Sequence, residues 1–405
     1  MKKVNLLKFL LPLLFALAIA LGLIQHAHNP YAFLGSSKTT LKRQSSGDKS
    51  LSDYYSEAAQ NLPIQASSTA SFLAVGDINL SRNVAGAMQK ALDSYLPYRK
   101  MENILKSTNF NFGNFESPYS PTCKPIVGGH AMIFAASCQS GEGFLAYNFK
   151  ILNLANNHAM DQGADGLFTT KKYLEGQGIK TIGTGENLGQ AWQPAVVKAN
   201  GIKICFIGAS YASVNDSGKT VNNYVTRIDD LQNLKSSILN LKSSCDFIVA
   251  TMHAGTEYTR QPNQDQINFA HAAIDDGADM VIGNHPHWVQ TIEKYQNKYI
   301  FYSLGNFIFD QMWSQDTREG LALKITVSKP GSCSLPIYGP NKTADKSANY
   351  NCPDLQGQRT PATLDSIELI PVIIENYSTP RPANADEAKK ILNKINIKSA
   401  ALLTP

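Results

Sequence analysis

Short apolar runs rich in β-branched and aromatic side chains, each stopped by a polar turn, recur along this chain and limit it to a layered fold built on buried strands. They fall at residues 71–75, 110–115, 151–154, 203–207, 247–251, 280–282, 299–303 and 321–327, with a late run at 366–374. Helical periodicity fills many of the intervals. Residues 264–276, for instance, put Ile267, Ala270, Ala273 and Ile274 on one face. Alternation of the two periods predicts an α/β protein with largely parallel sheets and helices outside them. No internal repeat is evident.

The turns that stop these runs hold most of the residues capable of chemistry, and strand ends are where an α/β sheet places its ligands. The first run passes into Gly76-Asp77-Ile78-Asn79, which sets a carboxylate just beyond a sheet edge. The second ends in Asn114-Phe115-Glu116, and the third leads to Asn156-Asn157-His158, with Asp161 close behind. His253 and Glu257 follow the run at 247–251, and His285-Pro286-His287 follows the one at 280–282. Carboxylates, amide oxygens and imidazoles together suit a hard or borderline divalent cation, so the set could hold one or two ions. Taken singly these blocks say little, because Gly-Asp after a strand is usually a turn and asparagines commonly cap helices. Two histidines around a proline at a strand end are harder to explain by packing. The order along the chain, Asp, Glu, Asn-His, His, then His-x-His, carries the inference. The other histidines read differently: His271 lies in a helical pattern, His130 in a loop beside Gly128 and Gly129, and His26 and His28 just after an apolar run.

At 405 residues and 43% hydrophobic content the chain is long enough for a full core. A net charge of +5 with 17% charged residues, and no basic stripe, gives no reason to invoke nucleic acid. Lys2 and Lys3 precede a run at 6–24 that is apolar apart from Lys8. Residues 1–30 therefore read as a signal peptide or signal anchor, with the lysines kept in the cytoplasm and the remainder outside it. An uncleaved membrane anchor is favoured because residues 25–30 offer no clean small-x-small site; secretion after cleavage is the alternative. Residues 31–70, rich in Ser, Thr, Lys and Gln, read as a flexible spacer. The folded domain is expected at 71–328, followed by a polar insertion at 329–363 and, at 364–405, the final strand and tail of the same domain. Six cysteines fall into neighbouring pairs, Cys123 with Cys138, Cys205 with Cys245 and Cys333 with Cys352, which permits three disulfides in an exported protein. None has the spacing of a zinc knuckle.

Over about residues 72–311 these blocks resemble the calcineurin-like metallophosphoesterases, and in full the CapA family of poly-γ-glutamate capsule synthesis proteins. The likeness is carried by Gly76-Asp77-Ile78, Asn114-Phe115-Glu116-Ser117-Pro118, Asn156-Asn157-His158 with Asp161 and Gly163, Gly183-Thr184-Gly185, residues 253–258, Gly277-Ala278-Asp279, residues 283–287 and Tyr302-Ser303-Leu304-Gly305-Asn306-Phe307. The resemblance implies a metallophosphoesterase-like αββα sandwich with its site at the sheet ends. It implies that Asp77 and His287 bind one divalent metal ion, that Glu116 bridges, and that Asn157, His253 and His285 bind a second. The ion could be Mn, Fe or Zn. His158 would be a general acid, with Asn79, Asn114, Asp161, Glu257 and Asn306 lining the pocket or orienting the ligands. Partners implied are an anionic polymer such as poly-γ-glutamate, the membrane, and capsule-synthesis membrane subunits. Activity would be metal-dependent hydrolysis, or, without turnover, polymer binding by a membrane-tethered assembly factor. The chain departs from the phosphoesterase pattern at Asn79, where a histidine is usual, and at Asn114 and Glu116 in place of a bridging aspartate. It departs from CapA relatives at Ala254, where tryptophan is common.

Overall fold

The structure is a computed structural model that describes residues 67–211, 222–331 and 360–396, with the backbone of 402–403. The chain divides into Met1–Asn61 and Leu62–Pro405, and everything described lies in the second unit. The expected membrane segment at 1–30, most of the spacer, and Cys333 and Cys352 lie outside the described residues. Among those described, no helix is long and apolar enough to cross a membrane.

In chain order the strands are β1 (Ser68–Ile78), β2 (Phe110–Phe115), β3 (Phe149–Asn153), β4 (Lys180–Ile182), β5 (Ala195–Ala199), β6 (Ile202–Ser210), β7 (Phe247–His253), β8 (Met280–Asn284), β9 (Ile292–Tyr295), β10 (Lys298–Phe301), β11 (Asn306–Ile308), β12 (Glu319–Lys329), β13 (Thr363–Glu375), β14 (Thr379–Pro382) and β15 (Leu402–Leu403). The helices are α1 (Arg82–Ala91), α2 (Glu102–Leu105), α3 (Glu142–Ala146), α4 (Gly163–Gly176), α5 (Leu188–Ala191), α6 (Leu231–Leu241), α7 (Gln264–Asp276) and α8 (Ala385–Lys394). One sheet has nine strands in the order β14-β13-β12-β1-β2-β3-β4, with β11 beside β1 and β15 beside β13; the other has six, β5-β6-β7-β8-β10-β9.

Parallel pairing joins β1, β2, β3 and β4, with β11 beside β1, on one side of the first sheet, and β6, β7, β8 and β10 in the second. The β12, β13 and β14 side of the first sheet and both edges of the second are antiparallel, so the sheets are mixed rather than largely parallel as the strand and helix alternation predicts. Tight hairpins account for much of the difference. Asn200 and Gly201 join β5 to β6 with φ of 47° and 85°, and Gln296 and Asn297 join β9 to β10 with φ of 45° and 62°. Two consecutive positive-φ residues make the turn whose twist matches paired antiparallel strands. These hairpins add edge strands that the apolar runs alone do not reveal.

Facing sides of the two sheets share one core, in which Phe72, Phe110 and Phe112 of the first meet Phe206, Val249 and Ile282 of the second. Phe206 stacks on Phe112 at 5.2 Å and meets Phe72 edge-on at 5.5 Å. The outer face of the nine-stranded sheet packs Leu73, Val75 and Leu152 against Val84 and Met88 of α1, Phe144 of α3 and Leu174 of α4. The outer face of the six-stranded sheet packs Ile207, Ile248 and Val281 against α6 and α7 through Leu234, Ile238, Phe269 and Ala273. The result is an αββα sandwich. α7 begins in a capping box, Asn263 with Gln266, which fixes its start where the apolar periodicity begins. His271 on α7 stacks on Tyr295 at 3.9 Å and pairs with Glu293 at 3.1 Å. Cys205 of β6 is bonded to Cys245 just before β7, and Cys123 is bonded to Cys138 across a loop.

Candidate metal centre

Period-2 alternation puts Asn114, Asn153, His253 and Asn284 at the ends of β2, β3, β7 and β8 on the side facing the other sheet. Asp77 joins them because the register of β1 shifts between Ala74 and Asp77. Asp77, Asn114 and Asn153 stand in register across β1, β2 and β3, and His253 stands opposite Asn284 across β7 and β8. Asp77 is thus the penultimate residue of β1 and not beyond the sheet edge. A close approach makes room for it: a Cβ on Gly76 would lie 1.9 Å from the Gly305 carbonyl oxygen, which accepts the Asp77 N–H at 3.0 Å. The Asn114 amide links the sheets, its Nδ2 donating to Asp77 Oδ1 at 2.8 Å and to His253 Nδ1 at 3.0 Å. Asn153 Nδ2 holds that amide in turn by donating to Asn114 Oδ1 at 2.9 Å. The Glu116 N–H continues the ladder to the Ile78 carbonyl at 2.9 Å, so Glu116 faces the same way as Asn114.

Six of the expected residues meet here. Ligand atoms of Glu116, His253 and His285 lie within 4.8 Å of one another, and so do those of Asp77, Glu116 and His287. Bonds of about 2.1 Å to a cation place its ligands no more than about 4.2 Å apart, so both sets are near coordination spacing. Glu116 belongs to both. The Asn157 amide oxygen lies 2.6 Å from His253 Nε2, which is itself 3.2 Å from His285 Nδ1. His287 Nδ1 donates to Asn306 Oδ1 at 2.9 Å, and Asn306 is fixed by donating to the Thr317 carbonyl at 2.9 Å. His158 sits at the margin, with Nδ1 2.7 Å from Asp161 Oδ2 and Nε2 3.8 Å from Glu116 Oε1.

The side chains themselves test whether a cation fits. Both Glu116 carboxylate oxygens are buried without a hydrogen-bond partner. An orphaned carboxylate among imidazoles and a second carboxylate is what a divalent cation would satisfy. Backbone strain points the same way. His285 (φ 100°) and His287 (φ 58°) both adopt left-handed conformations, as do Arg82 (φ 51°) and Tyr258 (φ 61°) around the same site. Each such residue costs on the order of 1–3 kcal/mol, and strain of this kind gathers at functional sites.

Comparison with known proteins places this cluster in a family. The family model described as "Bacterial capsule synthesis protein PGA_cap" matches residues 71–311. The chain belongs to this family. PGA biosynthesis protein CapA of Bacillus subtilis (strain 168) is 34% identical over 260 residues, which is 64% of this chain and 68% of that protein. Capsule biosynthesis protein CapA of Bacillus anthracis is 29% identical over 282 residues, 66% of each. Among solved structures, Haemophilus influenzae NAD nucleotidase has a TM-score of 0.42 at 13% identity, covering 82% of this chain and 56% of that one. The 5'-nucleotidase from Candida albicans SC5314 has a TM-score of 0.38 at 10% identity, covering 80% and 54%.

Every residue of the cluster in this PGA_cap member lies within the matched segment. Burial sets its electrostatics. It raises Asp77 to about 7, with the Glu257 charge adding to it while the His285 N–H and the Asn114 amide pull downward. Burial, then the charges of Asp77 and Glu257, hold Glu116 well above the usual carboxylate range. Burial drives His253 and His285 well below the usual imidazole range, and takes His287 to about 3 despite its bond to Asn306. The three imidazoles are therefore neutral at physiological pH, the form that ligates metal.

Two expected pocket residues lie apart from the cluster. Asn79 uses its Oδ1 to accept the Ser81 N–H at 2.8 Å at the entry to α1, and Glu257 is exposed on a cavity wall. That cavity, about 340 Å³, opens beside His158 and His287. It brings in residues that the strand-end pattern does not flag. Phe134, from the loop closed by Cys123–Cys138, stacks on His158 at 3.9 Å and gives its N–H to Asp161 at 2.6 Å. Arg82 lies over the Phe134 ring at 4.5 Å and pairs with Asp310, 228 residues away. His130, which the sequence places in a loop, lines the same cavity with Tyr258 and Trp313. Only the two glycines beside His130 hinted at a shaped loop.

Proposed function

We propose that this PGA_cap protein is a metal-dependent phosphoesterase that works outside the cytoplasm in the synthesis or export of a capsule polymer of the poly-γ-glutamate type. The observation that carries the chemistry is Glu116, fully buried, with both oxygens unpartnered and shared between two sets of ligand atoms. Asp77 and His287 would hold one divalent cation, Asn157, His253 and His285 a second, with Glu116 between them. Bound divalent cations supply Lewis-acid charge, which lowers the pKa of water and offsets charge on a phosphoryl group. His158 faces the cluster through Nε2, and Asp161 fixes its ring through Nδ1, the arrangement of an imidazole oriented to pass a proton to a leaving oxygen. Phe134 stacks on that ring, with Arg82 over the Phe134 ring in turn, and the His158 side chain is buried beneath them.

The polymer is supported by the names of the Bacillus relatives, one for PGA biosynthesis and one for capsule biosynthesis. Export is supported by the charged and apolar N-terminus and by the two disulfides, which persist in oxidising compartments. On this reading residues 1–30 anchor the chain in the membrane beside other capsule-synthesis subunits, and 31–70 space the domain from it.

A second reading, a tethered assembly factor that binds polymer without turnover, is favoured by Asn79, which caps a turn where the phosphoesterase pattern has a histidine. Metal analysis of protein purified without chelator, together with hydrolysis of bis(p-nitrophenyl) phosphate, separates the two. Bound metal with turnover that His285→Ala abolishes is expected. Metal without turnover of any phosphoester selects the assembly factor, and absence of metal overturns both assignments of the cluster.

A further inference from the structure

The cavity beside the cluster indicates what else a ligand must carry. Its polar walls are largely engaged within the protein. Arg82 gives its guanidinium to Asp310 and to the Ala131 carbonyl, Gln311 accepts from Asn306 at 3.1 Å, and His158 and His287 are held by Asp161 and Asn306. Among the described residues no lysine lines the cavity, whereas Glu257 and Asp310 do. Carboxylates or hydroxyls on a ligand would lose water there and find few partners.

Apolar surface is what the opening offers. Met132, Met312, Trp313 and Tyr377 line it beside Tyr258. Met132 is 75% exposed, Trp313 61% and Tyr377 48%, and Ile133, next to Met132, is 50% exposed. Large apolar side chains gathered exposed around one opening mark a contact site, since a single-domain surface seldom leaves them clustered without a use. Flexible thioethers adapt to a chain of no fixed shape, and Trp and Tyr suit a boundary between apolar matter and water. The same cavity is lined by buried His158 and by exposed Met132, Trp313 and Tyr377.

We propose that the ligand of this site is the phosphate ester of a long-chain, lipid-like alcohol, with its phosphate at the Glu116 cluster and its hydrocarbon along Met132, Met312, Trp313 and Tyr377. This rests on the phosphoesterase reading for the position of the phosphate. In the reaction, the oxygen of water bonds to phosphorus and the bond from phosphorus to the alcohol oxygen breaks, its electron pair staying on that oxygen. His158 gives the oxygen a proton and regains one from the attacking water, so that free alcohol and phosphate leave. A chain whose apolar run at 6–24 holds it to a bilayer would meet such esters at the membrane surface.

The test is calorimetric titration of the full-length chain, held in amphipol and loaded with Mn²⁺, with methyl-, butyl-, hexyl- and phenylphosphonate and with γ-linked triglutamate. Full burial is worth roughly fourfold in affinity per methylene, so a partly open cavity should give at least about tenfold from methyl to hexyl. Trp313→Ser and Met132→Ser, at exposed positions, are expected to remove that gain while methylphosphonate affinity and Mn content stay as they are. Equal affinity along the alkyl series, in protein that binds Mn²⁺ and methylphosphonate, overturns the lipid-like ligand and leaves the phosphoesterase standing. Tighter binding of phenylphosphonate or of triglutamate than of hexylphosphonate overturns it in favour of a ring or of the polymer. Failure to bind Mn²⁺ or any phosphonate removes both proposals.

Discussion

Glu116→Gln keeps the shape of a fully buried side chain and removes only its capacity to ionise. In the metal-free protein that change should cost little. Both carboxylate oxygens already lack a hydrogen bond, and burial with the neighbouring charges of Asp77 and Glu257 keeps the group protonated well above the usual range. Glutamine likewise puts no charge there, so the exchange removes no interaction the metal-free protein makes. The metal-loaded protein has more to lose, because Glu116 belongs to both candidate ligand sets and the variant takes a ligand from each. A ligand present at about a hundred times its Kd stabilises the native state by about 2.7 kcal/mol. With about 300 described residues and an unfolding entropy near 2.1 cal/mol/K per residue, that stabilisation corresponds to a rise in Tm of roughly 4 °C.

Thermal melts with and without saturating Mn²⁺ at pH 8 read both halves of this prediction. Wild type should rise by about 4 °C and Glu116→Gln by less than about 1 °C, with the metal-free variant melting no lower than metal-free wild type. A variant that keeps the full metal-dependent rise refutes the placement of Glu116 between two cations. A metal-free variant that melts several degrees lower refutes the premise that the carboxyl has no partner in the protein.

Affinity for Mn²⁺ should climb with pH between 6 and 8. Asp77 and Glu116 are both raised, so the free protein carries protons that a cation must displace, while the depressed imidazoles are neutral throughout and do not oppose the trend. Each proton displaced adds about tenfold in affinity per pH unit, the Asp77 share levelling off above its value of about 7. Calorimetric titration checks this, and a flat profile counts against it. His158→Asn should lower phosphodiester hydrolysis by about 10²–10⁴-fold with metal content unchanged, and Asp161→Asn should lower it less; loss of metal in His158→Asn would make that residue a ligand instead. Replacing Cys205 and Cys245 together by Ala opens a link across 40 residues, for which loop-closure entropy gives a destabilisation of about 4 kcal/mol. Urea unfolding should show it while the metal content of the folded variant is unchanged.

Strands buried on both faces were legible from their β-branched and aromatic content: the run at 110–115, with Phe110, Phe112 and Phe115, coincides with β2, and that at 247–251 falls inside β7. The edge strands were not. In β5 and β9, Lys198, Glu293 and Lys294 break the apolar signal, and these strands exist because a hairpin lays them against β6 and β10. Asn200-Gly201 was a readable turn signal for the first. Gln296-Asn297 was not, since glutamine seldom adopts positive φ. The antiparallel edges of the six-stranded sheet therefore depended on turn chemistry, to which periodicity is blind.

The candidate site divides along the same line. Asp77, Glu116, His253, His285 and His287 could be picked out because strand ends gather polar side chains by a local rule, whatever the partners across the sandwich. The cavity follows no such rule. Arg82 meets Asp310 across 228 residues, and Phe134 reaches His158 from a loop that has no period and is drawn together by Cys123 and Cys138. Proline at 286 was visible, yet it disfavours only the helical region for His285 and does not foretell a φ of 100°. Arg82, Tyr258, His285 and His287 all bear left-handed backbone without glycine's freedom. Relaxing any of them would re-aim a side chain that lines the cavity or joins the cluster. The surrounding sandwich holds four unfavourable conformations around one buried cluster of carboxylates and imidazoles, and strain gathered in this way is what the geometry of a ligand site requires.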